Sequence, residues 1–224
     1  MTFSIVAKCQ RTGQFGIGAA TAVPAVGKLL THARAGIGAV ATQAKLNPYL
    51  GIDGLRYLAE GGSAGSVLER LAGEDPRISS RQFAVLDATG ATAVFTGRDC
   101  IPWAGSLERP GFSIQGNRIA GPRVLEAAAR AFTADPGGDL ADRLMAALDA
   151  GDAEGGDIKG EVSATIYVMD TEEYPLWDIR VDENANPIAE LKRLHAIFRD
   201  ELLPEIRTMP TRAHPGGAPE ERPV

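Results

Sequence analysis

The sequence predicts an α+β protein in which two β-sheets pack face to face and helices cover their outer surfaces. Three observations lead to this prediction. The chain begins with a strand in which polar and apolar residues alternate, its helical segments come in adjacent pairs, and the pairs lie between groups of strands. A doubly wound parallel sheet would instead show strands and helices alternating one by one.

The first nine residues are the most informative stretch. Thr2 and Ser4 fall on one face of the strand, and Phe3 and Ile5 fall on the other. If Met1 is removed, Thr2 carries both a hydroxyl and a free α-amine, which together form a compact nucleophile and base. An α-amine titrates at about pH 8, so a fraction of it is neutral at pH 7 and can accept the hydroxyl proton. The alternative is an ordinary strand with threonine at position 2 by chance.

The remaining elements follow from periodicity and from turn and cap residues. Further strands are predicted over residues 14–21, 35–44, 81–87, 91–96, 112–117, 161–169 and 176–182. Helices are predicted over residues 52–60, 64–72, 122–132, 140–151 and 188–209, the last with a kink at Pro204. Residues 22–34 and 97–111 are predicted to be loops, the first with at most a short helical turn.

Length and composition predict one globular domain. The chain has 224 residues, 44% of them hydrophobic, and a net charge of −6. We expect residues 1–209 to form the domain and the Pro/Gly-rich residues 210–224 to form a disordered tail. The absence of a clustered Lys/Arg run argues against nucleic acid and anionic membranes as partners. Strands of small apolar residues leave room for a homo-oligomer.

The sequence also predicts a cytoplasmic location. Cys9 and Cys100 form no CxxC pattern, and residues 1–12 lack the basic and apolar regions of a signal peptide. The most apolar zone, residues 15–30, is interrupted by Pro24 and is therefore not predicted to span a membrane.

Six segments spread over residues 2–195 carry a family resemblance. They are TFSIVA (2–7), ARAGIGAVATQAKLN (33–47), CIPWAG (100–105), FSIQGNRIAG (112–121), GGDIKGEVSA (155–164) and DIRVD (178–182). Together they resemble the DUF1028 family, an uncharacterised bacterial and archaeal group whose fold is similar to that of the N-terminal nucleophile (Ntn) hydrolases. The resemblance implies a four-layer αββα sandwich, as in proteasome subunits.

The resemblance also implies a reaction. In Ntn hydrolases the N-terminal Thr, Ser or Cys attacks an amide carbonyl, its own amine relays the proton, and an oxyanion hole holds the tetrahedral intermediate. Thr2 is the residue that fits the nucleophile position. Proteasome-like enzymes also use a lysine near the nucleophile. The candidate lysines in this sequence are Lys8, Lys28, Lys45 and Lys159. The expected substrate is a small amide or an amino-acid-derived molecule.

Amide side chains supply the candidate binding groups. Gln115, Gly116 and Asn117 are predicted to end a strand in a turn, where Asn117 and the Gly116 backbone could hold the oxyanion. The alternative is a plain β-turn, which glycine and asparagine favour. Gln43 and Asn47 follow the third strand and could orient a polar substrate, or they could bond loop backbone.

The loop at residues 155–160 supplies charged candidates. Asp157 could orient the Thr2 amine, Lys159 could hold a substrate carboxylate or assist the nucleophile, and Ser163 follows in the next strand. The alternative is a solvated turn.

No cofactor or metal is predicted, because the histidines have no metal-ligand spacing and no GxGxxG motif occurs. Ser63 lies in a GxSxG match, but its helix–turn–helix context predicts a helix cap. Cys100, Ile101 and Trp103 could line a pocket.

Three functional hypotheses follow, in decreasing order of support. The first is an Ntn amidohydrolase with Thr2 as the nucleophile. The second is a binding module or assembly subunit of the same fold without a working nucleophile. The third uses internal groups, such as Ser4 or Lys159 with Asp157, for chemistry that does not depend on removal of Met1.

Overall fold

The computed structural model describes residues 2–218. Within them, ten strands form two antiparallel sheets. The strands are β1 (Thr2–Lys8), β2 (Phe15–Thr21), β3 (Thr31–Arg34), β4 (Gly38–Ala44), β5 (Arg81–Asp87), β6 (Thr92–Thr96), β7 (Ala104–Arg109), β8 (Phe112–Asn117), β9 (Ser163–Met169) and β10 (Pro175–Val181). One sheet has the order β10-β9-β2-β1-β8-β7, and the other has the order β3-β4-β5-β6. β1 therefore lies in the interior of the larger sheet.

The helices are α1 (Val26–Leu29), α2 (Pro48–Ala59), α3 (Ala64–Glu74), α4 (Pro122–Ala134), α5 (Leu140–Ala153), α6 (Pro187–Ile197) and α7 (Leu203–Thr208). The predicted role of Ser63 is confirmed, because its side chain accepts a hydrogen bond from the Ser66 N–H at the start of α3. Pro122 begins α4, as predicted. In the described part of the chain, no helix has both the length and the apolar character needed to cross a membrane.

The alternation of β1 places its two faces in different surroundings. Phe3 and Ile5 belong to a buried cluster with side chains of α4, α5 and α6, among them Leu125 and Leu148. Val6, on the opposite face, belongs to a second cluster built from residues of both sheets.

The smaller sheet also has two buried faces. Ala41 of β4 and Leu86 of β5 join the cluster of Val6. Val40 and Phe83, on the opposite face of the same two strands, form a third cluster with side chains of α2 and α3. The two sheets therefore pack against each other, and each sheet also packs against helices.

Two edge strands were missed by the sequence analysis. Residues 104–109, predicted to be loop, form β7, and residues 31–34 form β3. Each pairs with one neighbouring strand, and most of their side chains are exposed or half-buried. An edge strand of this kind lacks the apolar alternation by which strands are recognised.

The C-terminal helix is interrupted near the predicted kink. Residues 198–202 form a π-helical turn between α6 and α7, directly before Pro204. Proline lacks an N–H group, so the regular helical bonding cannot continue through it. Of the predicted disordered tail, residues 210–218 make hydrogen bonds, including Ala218 N–H to Thr208 O over 3.0 Å. Residues 219–224 lie outside the described residues.

Candidate functional site

Thr2 lies in a row of polar side chains that crosses four neighbouring strands. The register pairs Thr2 with Thr21 of β2 on one side and with Asn117 of β8 on the other, and Thr21 with Ser163 of β9. Directly paired residues project to the same face of a sheet, which here faces the second sheet. The hydroxyl oxygens of Thr2 and Thr21 are 3.0 Å apart, and both residues are buried. The fold thus brings Thr2, Asn117 and Ser163 together, although they are distant in sequence.

A second row, two residues further along β1, forms a chain of hydrogen bonds between the sheets. Gln115 Nε2 donates to Ser4 Oγ over 2.6 Å, and Ser4 Oγ donates to Gln43 Oε1 over 2.7 Å. Gln43 Nε2 then donates to Gln82 Oε1 over 2.7 Å. All four side chains are at most 1% exposed. Bonds that run in one direction polarise one another, so the chain is stronger than separate pairs would be.

Gln82 is the residue at which this network meets the first row. Its Oε1 also accepts from Asn117 Nδ2 over 2.9 Å, and its Nε2 donates to Gly116 O over 2.9 Å and to Thr96 Oγ1 over 3.0 Å. A buried amide left without partners costs about 1–3 kcal/mol, so Gln82 holds Asn117 firmly. Hereafter, the amide network means Ser4, Gln43, Gln82, Gln115 and Asn117.

Gln82 was missed by the sequence analysis, although a signal was present. In β5 it is in phase with Ala84 and Leu86, which face the other sheet. Gln43 is likewise in phase with Ala41 in β4. Glutamines at positions that alternation assigns to a buried face predict a polar network there.

Gly116 lies inside β8 and not in the predicted turn. It pairs with Phe3 of β1 and Gly105 of β7, and the turn begins only at Arg118. The absence of a side chain at Gly116 is required, because a Cβ atom there would lie 2.6 Å from Ile119 Cδ1. Gly116 therefore contributes close packing beneath Asn117.

The loop at residues 155–160 adjoins the end of the row. Asp157 is 3% exposed, and its carboxylate accepts the backbone N–H groups of Ala22 over 3.1 Å and Lys159 over 3.0 Å. The Lys159 side chain is exposed. Ser163 Oγ donates to Val23 O over 2.6 Å. Asp157 and Ser163 thus hold the segment that follows Thr21.

A carboxyl group that the sequence analysis did not single out lies beneath this loop. Glu161 is 9% exposed, and its Oε1 accepts the Asp157 N–H over 2.6 Å. Burial, together with the neighbouring carboxyl of Asp152, raises the pKa of Glu161 to about 7.

Asn47 belongs to a different arrangement. Its Oδ1 accepts the Tyr49 N–H at the start of α2, and its Nδ2 donates to Asp75 Oδ2 over 2.8 Å. The structure therefore places Asn47 in a helix cap, apart from the amide network.

A cleft of about 370 Å³ opens beside Asn117, and we call it the Asn117 cleft. It is lined by Ala44, Lys45, Arg77, Ser80, Asp99, Cys100, Ile101, Asn117 and Arg118. Cys100 and Ile101 therefore line a pocket as predicted, whereas Trp103 packs against the core of the larger sheet. A larger groove of about 630 Å³, between β7 and α4, contains none of the predicted site residues.

The candidate lysines differ in their relation to this cleft. Lys45 lines it, whereas Lys8 lies at the far end of β1 and donates to Ala88 O over 2.6 Å. Lys28 is exposed on α1 and does not line the cleft. Among residues 2–218, no group of three or more His, Cys, Asp or Glu side chains is placed to hold a metal ion.

The chain is similar to two solved structures to different degrees. The chain superposes on the crystal structure of a Silicibacter pomeroyi protein, described as a DUF1028 member, with a TM-score of 0.90 and 27% identity. That match covers 100% of this chain and 97% of the other. A weaker similarity, with a TM-score of 0.42 and 8% identity, is to Anbu (ancestral beta-subunit) from Yersinia bercovieri, over 88% of this chain and 97% of that one.

Comparison of the sequence with family models identifies the family of this chain. No curated protein matches the chain. The sequence model described as "Family of unknown function (DUF1028)" matches residues 2–191. Since this match spans most of the chain, the protein belongs to the DUF1028 family.

Proposed function

We propose that the protein is an N-terminal-nucleophile amidohydrolase that cleaves a small amide or amino-acid-derived substrate. Thr2 is the nucleophile once Met1, which lies outside the described residues, has been removed. One observation carries this proposal: Thr2 is the direct cross-strand neighbour of Asn117, which lines the cleft. A carbonyl bound in the cleft at Asn117 would lie beside an amide donor, with Thr2 next to that donor on the neighbouring strand.

In the proposed reaction the free α-amine of Thr2 accepts the proton of Oγ1, and Oγ1 attacks the carbonyl carbon. Asn117 Nδ2 carries two hydrogens. It donates one of them to Gln82, and it donates the other to the oxyanion of the tetrahedral intermediate. The C–N bond breaks, and the α-ammonium returns its proton to the leaving amine. Water then hydrolyses the ester on Thr2.

The other candidate residues take supporting roles in this proposal. Gln43 and Gln115 belong to the amide network that holds Asn117, Gly116 packs next to Asn117, and Asp157 and Ser163 hold the neighbouring loop. We assign to Lys45, which lines the cleft, the electrostatic role predicted for Lys159. The three buried clusters support the αββα layer order of Ntn hydrolases as part of the proposal. A cytoplasmic location and a homo-oligomer stay predictions.

The proposal is tested with protein whose loss of Met1 is verified by intact mass. Wild type, Thr2→Ala and Thr2→Ser are assayed against a panel of small amides. We expect Thr2→Ala to abolish hydrolysis, Thr2→Ser to retain part of it, and an ester on residue 2 to be trapped by rapid acid quench. The control is Thr133→Ala, an exposed threonine on α4. Equal rates for wild type and Thr2→Ala would end the proposal.

A second candidate is binding without hydrolysis. It is favoured by the burial of Thr2, which is 6% exposed and has its hydroxyl bonded to Thr21. Protein that lacks Met1, binds ligands in the cleft and hydrolyses no amide would support this alternative.

A further inference from the structure

The Asn117 cleft is positively charged in an otherwise acidic protein. The chain carries a net charge of −6, yet the cleft is lined by Lys45, Arg77 and Arg118 against one carboxylate, Asp99. Charges of one sign that line a cleft raise the local concentration of ligands of the opposite sign. The cleft therefore favours an anionic ligand.

These three cations have no anionic partner among residues 2–218. None of their side chains is in a hydrogen bond or an ion pair there. Other exposed arginines behave differently: Arg70 contacts Glu74 over 3.1 Å, and Arg193 contacts Glu190 over 2.6 Å. Unpaired guanidinium groups that face one cleft are available to a ligand.

The backbone on both sides of the cleft supports these groups. Ala44 and Arg118 have positive φ angles of 67° and 57°, in the left-handed region that non-glycine residues rarely adopt. The strand that ends at Ala44 is held by Arg81, whose guanidinium donates to Lys45 O. Arg81 in turn pairs with the buried Asp75 over 2.9 Å. On the other side, the Arg118 N–H donates to Ile101 O over 2.9 Å.

The volume of the cleft matches a small molecule. Since water takes up about 30 Å³ per molecule in the liquid, the cleft holds on the order of a dozen waters. An acylated amino acid fits this volume. Arginine binds carboxylates through two parallel N–H···O bonds, which favours Arg77 and Arg118 as the anchoring groups.

We propose that the Asn117 cleft binds a free carboxylate of the substrate through Arg77 and Arg118, so that the substrate class is small N-acyl amino acids or molecules of dipeptide size. This inference rests on the proposed function for the step that follows binding. With the carboxylate on the arginines, the amide of the same molecule lies toward Asn117 and its neighbour Thr2.

The binding test uses the full-length Thr2→Ala protein, so that no turnover occurs. Calorimetry compares acid and amide forms of one compound, such as N-acetylalanine and N-acetylalaninamide, across a panel of acyl groups. We expect the acids to bind at least tenfold more tightly than the matched amides. We also expect 0.5 M salt to weaken the binding of the acids. Arg77→Gln and Arg118→Gln should each weaken acid binding by about tenfold to a hundredfold. Arg34→Gln, an exposed arginine at the end of β3 that pairs with the opposite end of β4, should leave it unchanged.

Several outcomes would overturn the inference: no acid in the panel binds, acids and amides bind equally, or both cleft variants bind like wild type. Tighter binding of inorganic phosphate than of every carboxylate would overturn the choice of a carboxylate. Wild type that binds acids but hydrolyses none of them contradicts the proposed function alone. If wild type hydrolyses neutral amides as fast as acids, only the proposed recognition of a substrate carboxylate is contradicted, and the proposed hydrolysis stands.

Discussion

Asn117 in the six-stranded sheet donates a hydrogen bond over 2.9 Å to Gln82 in the four-stranded sheet. Both side chains are buried, Gln82 at 0% and Asn117 at 3% exposure. The amide that we assign to the oxyanion is therefore oriented by the opposite sheet, and not by its own strand neighbours alone. Stability and site geometry depend on the same bond.

Replacement of Gln82 should destabilise the protein strongly. In Gln82→Leu, Gln43 and Asn117 each lose an acceptor and Gly116 O loses a donor, so buried groups are left unpaired. We expect the free energy of unfolding, measured in urea, to fall by about 2–4 kcal/mol. Gln10→Leu, at an exposed position, should change it by less than about 0.5 kcal/mol. A loss below about 1 kcal/mol in Gln82→Leu would show that the network contributes little.

A pair of glycine substitutions tests the packing beneath Asn117. Gly116→Ala introduces a Cβ at 2.6 Å from Ile119, which is 1% exposed and has little room to move. We expect a loss of about 1–3 kcal/mol. Gly65→Ala lies on an exposed position of α3 with no atom within 4 Å, and should gain about 0.5–1 kcal/mol from helix propensity. Thermal melts that shifted in the same direction for both variants would contradict this account.

The buried carboxyl of Glu161 should make stability fall as pH rises. Burial and Asp152 raise its pKa from 4.5 to about 7, so the folded protein retains a proton that the unfolded chain releases. The stability that protonated Glu161 contributes is complete below pH ~4.5 and is lost as pH rises through about 7. Glu161→Gln keeps an oxygen for the Asp157 N–H but does not titrate. Urea melts from pH 4.5 to 8 should show a smaller decline with pH in Glu161→Gln than in wild type. Identical pH profiles would refute the assignment.

The buried His195 should have the opposite effect to Glu161, so that stability falls as pH decreases. It is 4% exposed and stacks on Trp177 with ring centroids 4.7 Å apart. Burial, with help from Arg199 and against the influence of Asp142, lowers the pKa of His195 below 6.5. The stability that neutral His195 contributes is therefore complete above pH ~6.5 and is lost as pH falls toward the lower folded pKa.

Unfolding free energies of wild type and His195→Gln between pH 7.5 and 5 measure this effect. We expect the acid-side decline to be smaller in His195→Gln, by up to about 1.4 kcal/mol per pH unit. His214→Gln, at an exposed position, should follow wild type throughout. A decline of equal size in all three proteins would exclude His195 as its cause.

Local patterns allowed much of the fold to be predicted. The alternation in β1 assigned Phe3 and Thr2 to opposite faces, and Ser63 and Pro122 marked helix starts at the correct places. The pairing of Thr2 with Asn117 could not be predicted from local pattern, because it depends on the insertion of β1 between β2 and β8. Arg77 and Arg118 were missed for the same reason, since they reach one cleft from separate segments. Thr2 and its neighbour Asn117 were both candidates from the sequence, but the amide network around Gln82 was not.

The space between the sheets is apolar at one end and polar at the other. Around Val6, Ile17 and Leu86 the contacts are non-directional, and such contacts change little when one surface slides slightly over another. The bonds of Gln43 and Gln82 tolerate no such displacement, because hydrogen bonds weaken steeply as their angles change. The relative alignment of the two sheets is therefore determined at the end that holds Thr2. Substitutions of similar volume in the apolar half should accumulate freely, while new ligand preferences arise at the rim of the cleft and not in the amides beneath it.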